Sequence, residues 1–153
     1  MLDQLAQLLL HHKHSLSSVE SCTGGGLAAY CTELPGSSAW FLGSVVTYSN
    51  AMKVQLGVDP RLLSEHGAVS EPVVSAMAQL GLQCCGSDWC IAISGIAGPD
   101  GGSPEKPVGT VWLAWAQGDR TWTEHQLFIG SRHAIRQQAI DRAIDKLILL
   151  LNK

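Results

Sequence analysis

The segment 88–94, DWCIAIS, constrains the fold more than any other. It is apolar almost throughout and ends in a long glycine- and proline-rich stretch, GIAGPDGGSPEKPVG. Such a run reads as a buried strand, and a buried strand needs cover on its faces. The chain around it supplies that cover. Leu2, Leu5, Leu8 and Leu9 share one face of an N-terminal helix. A strand is expected near 15–20, a glycine-opened helix at about 23–34 and a strand in WFLGSVVTY (40–48). A short helix or turn follows at SNAMKVQLGV, and Asp59-Pro60 opens another short helix through Glu65. Ser70, as N-cap, starts a helix with Glu71 and Pro72 in its first turn that reaches about Cys85. TVWLAWAQ and RTWTEHQLF, separated by Gly-Asp, form a hairpin. A long amphipathic helix from Ser131 to Leu151 closes the chain, with Ile135, Ala139, Ile140, Ile144, Leu147, Ile148 and Leu151 on its apolar face. Helices alternate with strands until the hairpin breaks the parallel pattern. The expectation is therefore an α/β fold, a three-layer α/β/α sandwich over a mixed sheet, with residues 1–153 as one domain.

Composition narrows the functions open to such a domain. A net charge of −3, with Lys and Arg scattered, argues against a nucleic-acid surface. No stretch reaches the ~18–20 apolar residues that span a bilayer. The N-terminus carries an acidic residue ahead of its apolar part and no small-residue cleavage site after it, so it reads as helix rather than signal peptide. Five cysteines, without a C-x-x-C pair, fit buried reduced thiols in a cytoplasmic protein better than disulfides or zinc.

Three segments hold the candidate chemistry: ESCTGGG (20–26), VVTYSNAMK (45–53) and SGIAGPDGGSPEKPVGTV (94–111). Loops after strand C-termini converge on one edge of an α/β sheet, where ligands bind. Ser21 or Cys22 at a helix start is placed to act as a nucleophile, with the Thr23 and Gly24 amides as an oxyanion hole. Taken by itself, the stretch favours the plainer role, with Ser21 or Thr23 as a helix cap. The glycines of 95–102 suit either close backbone approach to an anion or a loop that needs positive φ. Lys53 is either a solvated lysine or, held partly dry, a base able to deprotonate a serine. His66 has no feature that brings it to the site.

Together, ESCTGG (20–25), TYSNAMK (47–53), LGV (56–58), HGAVSEPVV (66–74) and SGIAGPDGGSPEKPVGTV (94–111) resemble the CinA C-terminal family, from about residue 15 to the last helix. Active members of that family are nicotinamide-mononucleotide deamidases. The resemblance implies a serine/lysine amidohydrolase with no metal and no cofactor, acting in pyridine-nucleotide recycling. Carried over by motif, Ser21 is the nucleophile, Lys53 the general base and Tyr48 a hydrogen-bonding partner of the pair. It further implies substrate contacts. The oxyanion is expected on the backbone from Cys22 to Gly24, and the phosphate on the 95–102 backbone, including Gly95, Gly98, Gly101 and Gly102. Lys106 or Arg132 would assist the phosphate. Ser94 and Asn50 would hold the ribose or carboxamide, and Glu20 would either face the pyridinium or be structural. The resemblance also implies a homodimer. The competing reading is a catalytically silent nucleotide-binding or regulatory module. Gly26 and a short segment after Lys53 depart from the family pattern.

Overall fold

The computed structural model describes residues 1–153. In chain order the elements are α1 (Leu2–His12), β1 (Leu16–Glu20), α2 (Gly26–Thr32), β2 (Phe41–Val46), α3 (Asn50–Leu56), α4 (Pro60–His66), α5 (Glu71–Cys85), β3 (Trp89–Gly95), β4 (Thr110–Gln117), β5 (Arg120–Leu127) and α6 (Arg132–Leu151), with one 3-10 turn at Ser37–Ala39. They build a five-stranded sheet of order β2-β1-β3-β4-β5. β1 runs parallel to β2 and β3, whereas β4 and β5 return antiparallel as the hairpin. β3 is thus the central strand, and all its residues except Gly95 are buried.

The sheet has two apolar faces, and each has its own core. On one side Leu16, Ile91, Ile93, Leu113 and Trp115 pack against α1, α2 and α6. The indole of Trp115 donates to Ala143 O at 2.9 Å, which ties the sheet to α6. On the other side Val19, Cys90, Ala92, Ala114 and Ala116 meet Val73, Val74, Met77 and Ala78 of α5. Side chains on this second face are small, so α5 lies close. A Cβ on Gly81 would sit 2.4 Å from Cys90 Sγ and 2.6 Å from Val19 Cγ2. Removing each large apolar side chain from water stabilises the fold by about 1.5–3 kcal/mol. These two cores make the three layers expected from the sequence. No helix is long and apolar enough to cross a membrane.

Three local expectations are corrected. The second helix begins at Gly26, not at residue 23, because 21–25 form turns with Gly24 and Gly25 at φ +59° and +96°. β2 ends at Val46 rather than at Tyr48: Thr47 is buried and keeps one bond to the sheet, its amide donating to Glu20 O, and only Tyr48 turns out with its side chain exposed. Ser70 occupies the N-cap position of α5, but its hydroxyl donates to Gly67 O at 2.7 Å instead of capping the helix. Gly26 has a packing reason: a Cβ there would lie 2.9 Å from Ile140 Cδ1 of α6.

Candidate active site

β1, β2 and β3 run parallel, so their C-terminal ends lie on one edge. The pairing continues one step beyond them: the Ser21 amide donates to Ile93 O at 3.0 Å and the Thr47 amide to Glu20 O at 2.8 Å. Ser21, Tyr48 and Ser94 are brought together in this way from three separate segments.

Glu20 fixes the turn that follows β1. Its carboxylate is fully buried and accepts from Thr23 Oγ1 (2.7 Å), Leu27 N (2.9 Å), Ala28 N (3.0 Å) and Ser44 Oγ (3.1 Å). Two of those donors are first-turn amides of α2, which an α-helix leaves unpaired. The negative charge also sits at the positive end of the helix. Glu20 therefore caps α2, and neither Ser21 nor Thr23 does. It is occupied within the protein and does not reach the cleft.

Lys53 is placed by the cap of its own helix. Ser49 Oγ accepts from Met52 N at 3.1 Å, which starts α3 and turns Lys53 inward one turn later. The side chain is only 1% exposed. Its Nζ donates to Thr47 O at 2.7 Å and Tyr48 O at 3.2 Å, and lies 3.1 Å from Ser21 Oγ. No carboxylate pairs with it, and burial pushes its pKa below the ordinary lysine value. A neutral amine here would keep two N–H bonds on the two carbonyls and turn its lone pair to the serine hydroxyl. Such an arrangement can accept a proton from Ser21. Tyr48 meets the pair through its main-chain carbonyl, while its exposed phenol accepts from Arg132 at 3.2 Å.

The neighbouring thiol is of a different kind. Cys22 belongs to the core on the α1, α2 and α6 side, and burial pushes its pKa up to about 11. It is protonated near neutral pH and offers no thiolate.

A cleft of about 250 Å³ opens at the Ser21–Lys53 pair, lined by Ser21, Cys22, Tyr48, Asn50, Lys53, Ser94, Gly95 and Arg132, and also by Ala68, Val69 and Ala97. Ser94 Oγ donates to Ala68 O at 2.8 Å and holds the 67–70 loop against the cleft. Gly95 is required by packing at the edge of the cleft, since a Cβ would lie 2.7 Å from Val111 Cγ2, 3.0 Å from Thr110 O and 3.2 Å from Cys22 Sγ. Arg132 is the cation at the rim, donating to Gly98 O at 2.8 Å. Gly98 takes part through that carbonyl alone.

The remaining expected site residues lie elsewhere. Thr23 is turned to Glu20, and the Gly24 amide donates to Ser21 O at 3.0 Å, so it is no free oxyanion donor. The amides of Cys22 and Thr23 have no acceptor within the protein. Gly101 and Gly102 are exposed outside the cleft, and a Cβ on Gly102 would approach Val108 N to 2.8 Å. Gly102 serves the packing of the long loop, and Gly101 its turn, at φ +92°. Lys106 also stays outside, with its Nζ on His66 O at 2.6 Å. Of the cysteines, Cys22, Cys31 and Cys90 are buried, but Cys84 is exposed and Cys85 half-buried, which corrects the uniform burial expected. All five are free. No cluster of three His, Cys, Asp or Glu side chains is arranged to hold a metal ion. A larger concavity, about 340 Å³, lies at the opposite sheet end around Trp89, Trp122 and Arg120, with no nucleophile beside a buried base.

Two contributions escaped the sequence reading. The loop residues Ala68 and Val69 line the cleft, within a motif already singled out. Arg136 donates from α6 to Cys22 O at 3.0 Å and Thr23 O at 3.1 Å, and no pattern in the sequence announced it.

The model of the CinA C-terminal domain matches residues 1–151. A Pseudomonas putida protein named nicotinamide-nucleotide amidohydrolase PncC is 49% identical over 148 residues, covering 96% of this chain and 92% of that protein. A Shigella flexneri protein of the same name is 50% identical over 149 residues, covering 95% of this chain and 89% of that protein. The crystal structure of a competence-damaged protein (CinA) superfamily protein from Klebsiella pneumoniae superposes with a TM-score of 0.96 at 38% identity, covering 99% of this chain and 95% of that one. With the family model spanning almost every residue and the fold shared end to end, the chain belongs to the CinA C-terminal domain family.

Proposed function

We propose that this chain hydrolyses the carboxamide of nicotinamide mononucleotide, giving nicotinate mononucleotide and ammonia. The observation that carries the reading is the buried Lys53 Nζ, free of any counter-ion and 3.1 Å from Ser21 Oγ. The near-half identity to proteins named as nicotinamide-nucleotide amidohydrolases supports this choice of substrate.

The chemistry runs in two halves. Neutral Lys53 takes the Ser21 proton as Oγ attacks the amide carbon. The tetrahedral oxyanion is met by unpaired amides at Cys22 and Thr23, each well-placed donor contributing about 3–4 kcal/mol. The C–N bond then breaks, and the Lys53 ammonium gives its proton to the departing nitrogen as ammonia. Water, deprotonated by the same lysine, attacks the acyl-serine, and Ser21 recovers its proton as the acid leaves. The two lysine-bound carbonyls keep Nζ in place throughout.

Arg132 at the rim is the cation for the substrate phosphate. Asn50 and Ser94, which line the cleft, would hold the ribose or carboxamide. Residues 1–153 act as a single amidohydrolase domain in the cytoplasm, a location that rests on the cysteine usage, and as a homodimer in pyridine-nucleotide recycling, which rest on the family resemblance. The test is to incubate the protein with nicotinamide mononucleotide and measure ammonia and the acid product together. Stoichiometric release of both is expected. Tight binding of the mononucleotide with no ammonia would favour the silent module instead.

A further inference from the structure

We propose that Arg136 is a positioning residue for the same reaction. Its guanidinium holds the Cys22–Thr23 peptide so that the Thr23 N–H faces the Ser21 side chain as the oxyanion donor. This inference rests on the amidohydrolase reading above.

The geometry begins with the turn. Ser21 to Gly24 form a four-residue turn closed by the Gly24 amide on Ser21 O at 3.0 Å. In such turns the amide of the third residue lies within reach of the first residue's side chain, as when serine and threonine hydroxyls accept from it, although here Ser21 Oγ is turned to Lys53 and Tyr48 O. Here the first residue is Ser21 and the third is Thr23, whose amide has no acceptor within the protein. An atom bonded to Ser21 Oγ would therefore bring its own oxygen next to that N–H.

Orientation of this peptide is the remaining requirement. In a trans peptide the C=O and the following N–H point in opposite directions. Cys22 O accepts from Arg136 Nε at 3.0 Å, so the Thr23 N–H of the same unit points away from the guanidinium. Arg136 Nη2 also reaches Thr23 O at 3.1 Å, and the Gly26 amide reaches it at 2.9 Å. One planar fork thus spans two successive carbonyls, which a lysine, carrying its donors on one atom, cannot reproduce. If the Cys22–Thr23 peptide flipped, its carbonyl would face the developing oxyanion and repel it.

Charge adds to the orientation. Arg136 pairs with no carboxylate, so its full charge faces those two peptide groups. A cation on the carbonyl side polarises the peptide and strengthens its N–H as a donor. α6 carries the arginine rigidly, because Ile135 and Ala139 on either side are buried in the core.

The experiment compares wild type with Arg136→Met and Arg136→Lys. Both variants are expected to lose about 10²–10³-fold in kcat, as removal of one oxyanion donor does. KM should stay within about threefold, because the ground-state carboxamide gains little from that donor. Added guanidinium ion should restore part of kcat in Arg136→Met, and a merely structural arginine would not produce that rescue. Labelling of Ser21 by a fluorophosphonate gives a readout separate from the mononucleotide, since its phosphoryl oxygen enters the same hole. That rate should fall in parallel with kcat. A wild type that releases no ammonia yet labels at Ser21 overturns the amidohydrolase reading while leaving the labelling comparison to judge Arg136. Folded Arg136→Lys protein with wild-type kcat and labelling rate overturns the proposal, as does a loss in Arg136→Met that guanidinium leaves untouched.

Discussion

Replacing Glu20 by glutamine tests how the nucleophile turn is held. The side chain keeps its shape and loses one acceptor oxygen to an NH2 group. One carboxylate oxygen accepts from Thr23 Oγ1 and Leu27 N, the other from Ala28 N, Ser44 Oγ and, within β1, Ser18 Oγ. Whichever oxygen becomes nitrogen, it faces a backbone N–H that cannot turn round. A hydroxyl can rotate to accept, but the amide of Leu27 or Ala28 is left without a partner. Loss of a hydrogen bond to a charged group costs about 1.5–3 kcal/mol. Loss of the negative charge at the start of α2 adds about 0.3–1 kcal/mol. The sum, about 2–4 kcal/mol, corresponds to a Tm lower by roughly 4–16 °C at about 2–4 °C per kcal/mol for a chain of this size. Thermal unfolding followed by far-UV circular dichroism measures it. KM for the mononucleotide should remain within about threefold, because Glu20 has no face in the cleft. An unchanged Tm would refute the capping role, and an unchanged Tm with a tenfold higher KM would put Glu20 against the substrate.

Three further outcomes are expected. Because burial lowers the Lys53 pKa, the rate of ammonia release should rise with pH along a limb centred below 10.5, the ordinary lysine value. Between the folded and unfolded pKa the unfolded chain binds the extra proton, so stability should also rise with pH across that window. Lys53→Met should remove both dependences, lose at least about 10³-fold in kcat and melt no lower than wild type near neutral pH; a wild-type pH profile in this variant would contradict the base assignment. Thr47 Oγ1 is buried without a partner, so Thr47→Val should raise stability by about 1–2 kcal/mol in urea unfolding and keep the carbonyl that holds Lys53. Gly81→Ala gains about 0.5–1 kcal/mol of helix preference but drives a methyl into Cys90 and Val19, so a net loss of about 1–2 kcal/mol is expected by the same method.

Layering was legible in the sequence because its signal is local. The continuous apolar run at 89–93 reports a strand buried on both faces, and the spaced apolar positions of α6 report one buried face through a period of 3.6 residues. The Ser21–Lys53 pair emerged from motif order, since nothing in the local pattern separates Lys53 from Lys106. Their difference is tertiary: the Ser49 cap sets the phase of α3 and turns Lys53 inward, whereas Lys106 extends along its loop to His66. The glycines posed the same difficulty. Both Gly95 and Gly102 relieve close backbone contacts, but only Gly95 lines the cleft, and their neighbours in sequence do not distinguish the two. Glu20 could be read as facing a pyridinium because the donors that occupy it come from β1, β2 and α2 together. Arg136 was invisible for a similar reason, being 114 residues from the carbonyl it holds.

The central claim is that a lysine-activated serine, rather than the adjacent thiol, attacks the carboxamide. It is tested most directly by comparing kcat for nicotinamide mononucleotide in Ser21→Ala and Cys22→Ala. The buried, protonated thiol and the Ser21–Lys53 contact predict a loss of at least about 10⁴-fold for Ser21→Ala and no more than tenfold for Cys22→Ala. A near wild-type rate in Ser21→Ala, with activity abolished in Cys22→Ala, would contradict the account and make the enzyme a thiol amidohydrolase.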